Sequence, residues 1–302
     1  MSSRAFMRFL SAVGGLEDCR FARHQTDVYV RFQSKRSMSE KPAAEVMLRD
    51  VLFAHWPIAA EKLRSVVPDP LSIDTFDGSA WITVLVVDIA GARVRAVPYH
   101  PSLPSINLRT YVSHGDETGI YFIALEMDGQ LSSWLARNGF GIPYYNADVD
   151  IDTSQRTRSV ESYRERRGGT PARFAATYRP EDLHEGGFAE EGSREEFLIE
   201  RTNYYFEAGP EFRRLSEVMG TTEGGSRTGQ TNTGTSMFAG AADHRPWALT
   251  DVDAEITTNT LFEAAGVPEP TESPVFNYSS RQYMAAKRLR ELPKTVPEPI
   301  EQ

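Results

Sequence analysis

From Met47 onward the chain is written in segments of about eight residues, apolar or alternating, each closed by turn-forming residues. That spacing constrains the fold more than any other feature. The helical stretches between are too short and too few for βαβ units. Strands so close in sequence therefore pair mainly antiparallel, as an α+β sheet or barrel. Ser79–Ile89 is an almost continuous apolar run, as expected of a strand covered on both faces. Ile106–His114 alternates instead, with Ile106, Leu108, Thr110 and Val112 facing one way and Asn107, Arg109 and Tyr111 the other.

The same reading places strands at Asp50–Trp56, Gly119–Met127, Tyr144–Asp152, Ser159–Arg166 and Ala172–Tyr178. Gly115-Asp116-Glu117-Thr118 reads as a hairpin loop. A second hairpin is expected of Asn203–Glu207 with Phe212–Val218. Helices are short. One follows Pro57, with Ala59, Leu63, Val66 and Val67 sharing a face until Pro68. Another runs from Asp128 to Gly139 with Leu131, Trp134 and Leu135 as its apolar stripe. Ser193 with Glu196, and Thr260 with Glu263, are capping-box pairs that open two more. No linker separates two cores. The expected organisation is a disordered extension over 1–46, one domain over 47–293 with a mobile loop at 220–236, and a tail over 294–302.

A formal net charge of −9 disfavours nucleic acid as a partner. The longest strongly apolar run, Trp81–Val87, is far short of the ~20 residues of a membrane helix. Cys19 stands alone, so no internal disulfide is available and a cytoplasmic chain is the simplest reading. The six histidines are dispersed and form no metal-ligand pair. Asp148, Asp150 and Asp152 read as a solvated strand face. Gly224–Thr231 has the glycine spacing of a phosphate loop, but glutamine stands where its lysine belongs and no apolar helix follows. Neither a cofactor nor a metal is expected.

What remains is polar and aromatic residues on strands. Asn107, Arg109 and Tyr111 share a face on which the guanidinium can fork a carboxylate, or pair with a structural acid such as Glu126. Tyr144 and Tyr145 are adjacent on a strand, so they point to opposite faces.

Several dispersed motifs resemble the YqjF-like family, a domain-of-unknown-function group in the acetoacetate decarboxylase-like superfamily. They are Val51–Pro57, Leu71–Trp81, Ile106–Val112, Gly119–Phe122, Phe140–Tyr145, Asp243–Trp247 and Thr258–Leu261. The resemblance implies an antiparallel β barrel or cone with a few peripheral helices and a central pocket, and, by analogy, homo-oligomers. The superfamily's enzymes form a Schiff base through a lysine in a Gly-Phe-Pro-Lys-Lys stretch, which Gly141-Ile142-Pro143-Tyr144-Tyr145 resembles here. A phenol cannot form an imine, and the chain has no lysine between Lys62 and Lys287, so imine-based decarboxylation is excluded. The implied pocket would be lined by Arg109, Asn107, Tyr111, Tyr144, Tyr145 and Glu126. It suits an anionic or carbonyl-bearing small molecule held by hydrogen bonds. Two alternatives stand beside this reading. One is a lysine-independent lyase, isomerase or hydrolase acting on an oxo or carboxylic acid, with Glu126, His55 or His114 as its titratable group. The other is a structural or interaction protein whose barrel is filled by aromatic bulk.

Overall fold

Strand β1 (Ala44–Ile58) is the spine of the fold, pairing antiparallel with β3 (Ala80–Val94) on one side and β13 (Val275–Ala286) on the other. The computed structural model describes residues 42–94, 103–130, 133, 142–166, 169–183, 186–219, 221–223 and 234–293. The expected start at Met47 lies three residues late. Glu45 is buried, accepts a hydrogen bond from Tyr283, and shares the ladder with Ala44 and Val46. Residues 1–41 of the expected N-terminal extension and the C-terminal tail fall outside the described residues, as does 224–233 of the expected mobile loop.

Around the spine the order runs β4 (Leu103–His114), β3, β1, β13, β11 (Ser236–His244), β10 (Asn203–Ala208) and β5 (Glu117–Met127). Pairing of β5 with β4 then closes the ring into a seven-stranded barrel. The short strands β2 (Ser72–Ile73), β6 (Tyr144–Asn146) and β14 (Arg290–Glu291) attach to it. Among the described strands every pairing is antiparallel except β10 with β5 and β5 with β6. The sheet-rich, mainly antiparallel expectation is therefore borne out. Among the described residues no helix is long and apolar enough to cross a membrane.

The expected strand Tyr144–Asp152 is two strands in two sheets. Its backbone leaves the barrel at buried Ala147, and β7 (Asp148–Asp152) joins β8 (Arg158–Arg164), β9 (Ala172–Pro180) and β12 (Val252–Asn259) in a four-stranded sheet. Strict inside-outside alternation along β8 and β9 gives this sheet one core face and one wet face. Asp148, Asp150 and Asp152 lie on the wet side, as expected. The core face contributes Val149, Val160, Phe174, Ala176 and Tyr178 to one cluster with Leu52, Val84, Leu108 and Tyr121 of the barrel.

Phe212–Val218 is not a strand. Pro210 opens helix α3 (Pro210–Met219), while β10 takes β11 and β5 as its partners instead. Phe212 drives this, packing edge-on against Phe206 and Phe238 at 5.7 and 4.8 Å. Helix α1 (Ala60–Leu63) is shorter than expected and gives way to turns before Pro68, whereas helix α2 (Arg194–Ile199) stands where expected, with Ser193 accepting the Glu196 amide at 3.1 Å. The cap of α4 (Leu261–Ala264) differs. Asn259 Oδ1 takes the Leu261 amide, and Thr260 Oγ1 instead accepts the Arg173 amide across to β9. Most of the helix expected over Asp128–Gly139 lies outside the described residues.

Candidate functional site

Three adjacent strands carry the site. The ladders set His55 of β1 opposite Thr83 of β3, and Thr83 opposite Arg109 of β4. The two-residue period adds Phe53, Leu85, Asn107 and Tyr111 to the same face. Helix α2 lays Leu198 and Ile199 on this face, and Trp247 meets the Phe53 ring edge-on at 5.2 Å. Neighbouring Asn107, Phe122 and Tyr204 keep part of their surface open to solvent.

A chain of hydrogen bonds runs across the strands. His55 Nδ1 lies 2.8 Å from Thr83 Oγ1, which lies 2.7 Å from the Tyr111 hydroxyl. That hydroxyl donates to the Leu198 carbonyl at 2.8 Å. Burial holds the His55 ring well below its ordinary pKa, and the Arg109 and Arg194 cations push the same way. The imidazole is therefore neutral.

Arg109 is only 8% exposed. Its guanidinium carbon lies 5.6 Å from the Phe53 ring centroid, and it hydrogen-bonds Tyr111. Burial lowers its pKa, and among the described residues no carboxylate pairs with it. Several buried polar atoms here lack a partner among the described residues: Arg109 Nε, His55 Nε2, Trp81 Nε1 and Trp247 Nε1. At the rim Arg194 stacks 5.9 Å from Trp81 while pairing with Glu195.

Of the six residues expected to line a pocket, four share this face and two do not. Asn107, Arg109 and Tyr111 are together, and Tyr144 joins them through a hydrogen bond with Ser105 and contact with Leu125 and Met127. Burial raises the Tyr144 phenol, so it stays protonated. Glu126 and Tyr145 are register partners on the opposite face. There Glu126 accepts from Ser162 and lies 3.5 Å from Arg164, which stacks 4.3 Å over Tyr145. The cause is a β-bulge. Leu108 pairs with Ala124 but Arg109 pairs with Phe122, so Ile123 is an extra residue and reverses the alternation for the rest of β5. Without it Glu126 would follow Ile120 and Phe122 onto the face of Arg109. His114, the other histidine considered, is on the opposite parity of β4 beside Tyr205.

Thr83, Trp81, Arg194 and Trp247 were not legible as site residues. Their sequence signal is only strand parity, and it becomes informative once β1, β3 and β4 are known to be neighbours in that register. The described lysines are elsewhere: Lys62 is exposed on α1, and Lys287 pairs with Asp243 at 3.0 Å. A trough of about 410 Å³ on the four-stranded sheet, lined by Asp148, Asp150, Glu161, Tyr163 and Arg173 among others, shares no residue with this face.

Comparison with known proteins fits this architecture. The family model of DUF2071, an uncharacterized conserved protein, matches residues 45–218, more than half of the chain. The chain belongs to this family. The DUF2071 chain is also 32% identical over 236 residues to the uncharacterized protein YqjF of Bacillus subtilis (strain 168), covering 77% of this chain and 86% of that one. Among solved structures, acetoacetate decarboxylase from Legionella pneumophila superposes with a TM-score of 0.55 at 8% identity, covering 87% of this chain and 95% of that one. The enduracididine biosynthesis enzyme MppR complexed with pyruvate gives 0.54 at 7% identity, covering 86% and 95%. At these identities the likeness is one of fold. The acetoacetate decarboxylase-like architecture implied by the sequence motifs is thus the fold of this DUF2071 protein.

Proposed function

We propose that this protein binds a small carboxylate non-covalently, with Arg109 as the counter-charge. The observation that carries this reading is an arginine only 8% exposed, with no acid beside its guanidinium among the described residues. An ion so placed is costly to bury unless something neutralises it. A carboxylate ligand does so, and the unpaired N–H groups of Arg109 and Trp81 supply donors to its oxygens. Asn107, Phe122 and Tyr204 beside it are only partly buried, on the side from which a ligand would approach. A small carboxylate, pyruvate, is found with one protein of the same fold.

Titration calorimetry on the purified chain tests this, using short carboxylic acids and their uncharged amides. Acids should bind and amides should not, and Arg109→Gln should weaken the acids at least tenfold. An Arg109→Gln protein that binds acids as well as the natural one removes the reading. So does a natural protein that binds none.

A further inference from the structure

The hydrogen-bond chain ending on Leu198 has a direction, and the direction determines which nitrogen of His55 carries the proton. A peptide carbonyl can only accept, so the Tyr111 proton is committed to Leu198 at 2.8 Å. The Tyr111 oxygen must then accept from Thr83 at 2.7 Å, which uses the one proton of that hydroxyl. Thr83 Oγ1 is left as an acceptor towards His55, so Nδ1 must be the donor at 2.8 Å. The opposite assignment leaves Thr83 and Tyr111 oxygens 2.7 Å apart with no proton between them. The Tyr111 hydroxyl is the more distant neighbour of Nδ1 at 3.3 Å, and its oxygen already accepts from Thr83 and Arg109. A neutral imidazole holds one N–H, so Nε2 is a bare lone pair. It is fully buried, with no donor from the described residues.

The remaining unpaired groups on this face are of the other kind. Arg109 Nε and Trp81 Nε1 are donors, and they suit the oxygens of an acid. His55 Nε2 is an acceptor and suits a hydroxyl. We infer that His55 is a ligand-recognition residue held in the Nδ1–H tautomer by Thr83 and Tyr111, and that the site selects hydroxy carboxylates over acids lacking the hydroxyl. This rests on Arg109 binding the carboxylate. It extends that reading from charge to a second functional group, and makes His55 the residue that discriminates. The selectivity follows because an unmatched buried lone pair is left unsatisfied by a ligand without a donor.

Two measurements on the full chain test it. Nitrogen-15 NMR of the histidine rings, with the His55 signals assigned by their loss in His55→Phe, should show Nδ1 as the protonated nitrogen. Thr83→Val, which removes the acceptor, should release that preference. Calorimetry with the matched pairs lactate and propionate, and malate and succinate, should then show the hydroxy acid at least tenfold tighter in each pair. His55→Phe should reduce that ratio to within twofold. An Nε2–H tautomer overturns the inference, and so does equal binding within both pairs. In the latter case Arg109 still holds the acids, and only the role of His55 is lost. Failure of all four acids to bind overturns the Arg109 reading together with this one. If His55→Phe does not fold, His55→Leu serves for both the assignment and the calorimetry.

Discussion

Glu126 shows how one inserted residue changes the role of a side chain. Turned away from Arg109 by the bulge at Ile123, it sits between the barrel and the four-stranded sheet at 1% exposure. Its carboxyl is raised above the ordinary range, first by burial, and only partly restored by Ser162 and Arg164. A raised folded-state pKa means that the folded protein holds the proton more tightly than the unfolded chain. The associated stability is complete below the unfolded value, near ~4.3, and is lost as pH rises through the folded one. Glu126→Gln cannot titrate. Its stability relative to the natural protein should therefore improve as pH climbs from about 4 to about 7. Urea midpoints at a series of pH values check this. A difference that instead moves against Glu126→Gln would show that Arg164 governs the carboxylate and burial does not. Asp50, also raised by burial and held by Tyr278 and Arg158, should behave in the same sense.

Helix α3 is where local pattern and tertiary context part company. Phe212 is 2% exposed, wedged against Phe206 and Phe238 in a satellite core with Leu289. Phe212→Ala should cost about 3–5 kcal/mol, the usual range for emptying such a site. Thermal or urea unfolding reads it directly, and a loss under about 1 kcal/mol would mean that the cluster collapses around the gap. Strands β11, β12 and β13 were not read as strands, whereas β1, β3, β4, β5, β8, β9 and β10 were legible from apolar runs or period-two alternation. The segment after Pro210 was not, because its apolar positions suit a strand or a helix and the partner that decides, Phe238 on β11, lies beyond the low-complexity stretch at 220–236. The site was legible to the same limit. Asn107, Arg109 and Tyr111 announce their shared face within one strand. His55 and Thr83 join them only through ladders between strands far apart in sequence. The parity of Glu126 depends on a bulge that no residue type in β5 signals.

At the scale of the molecule, closure of the ring rests on a parallel contact between β5 and β10, where Gly119 pairs with Asn203. A Cβ on Gly119 would stand 2.6 Å from the Asn203 carbonyl oxygen and 2.9 Å from the Tyr205 ring. Neither backbone can retreat without opening the barrel. Gly119→Ala should thus destabilise by about 1–3 kcal/mol, with faster amide exchange in β5 and β10 than elsewhere. Exchange that quickens evenly across the chain would place the strain somewhere other than the seam.

The position of β1 also determines when the fold can be completed during synthesis. Its ladder with β13 joins Ala44 to Ala286, so β1 leaves the ribosome long before the strand that it must pair with. Until then β1 has β3 on one side and a row of unpaired peptide groups on the other, an open template for a neighbouring nascent chain. A fragment ending at 218, where the family match ends, lacks both β11 and β13 and leaves the barrel permanently unsealed. Expressed alone, that fragment should aggregate while the full chain stays dispersed, a comparison that sedimentation makes directly. For this architecture the C-terminal strands act as the fastening of the whole, and trimming them is the surest way to turn an orderly polypeptide into a sticky one.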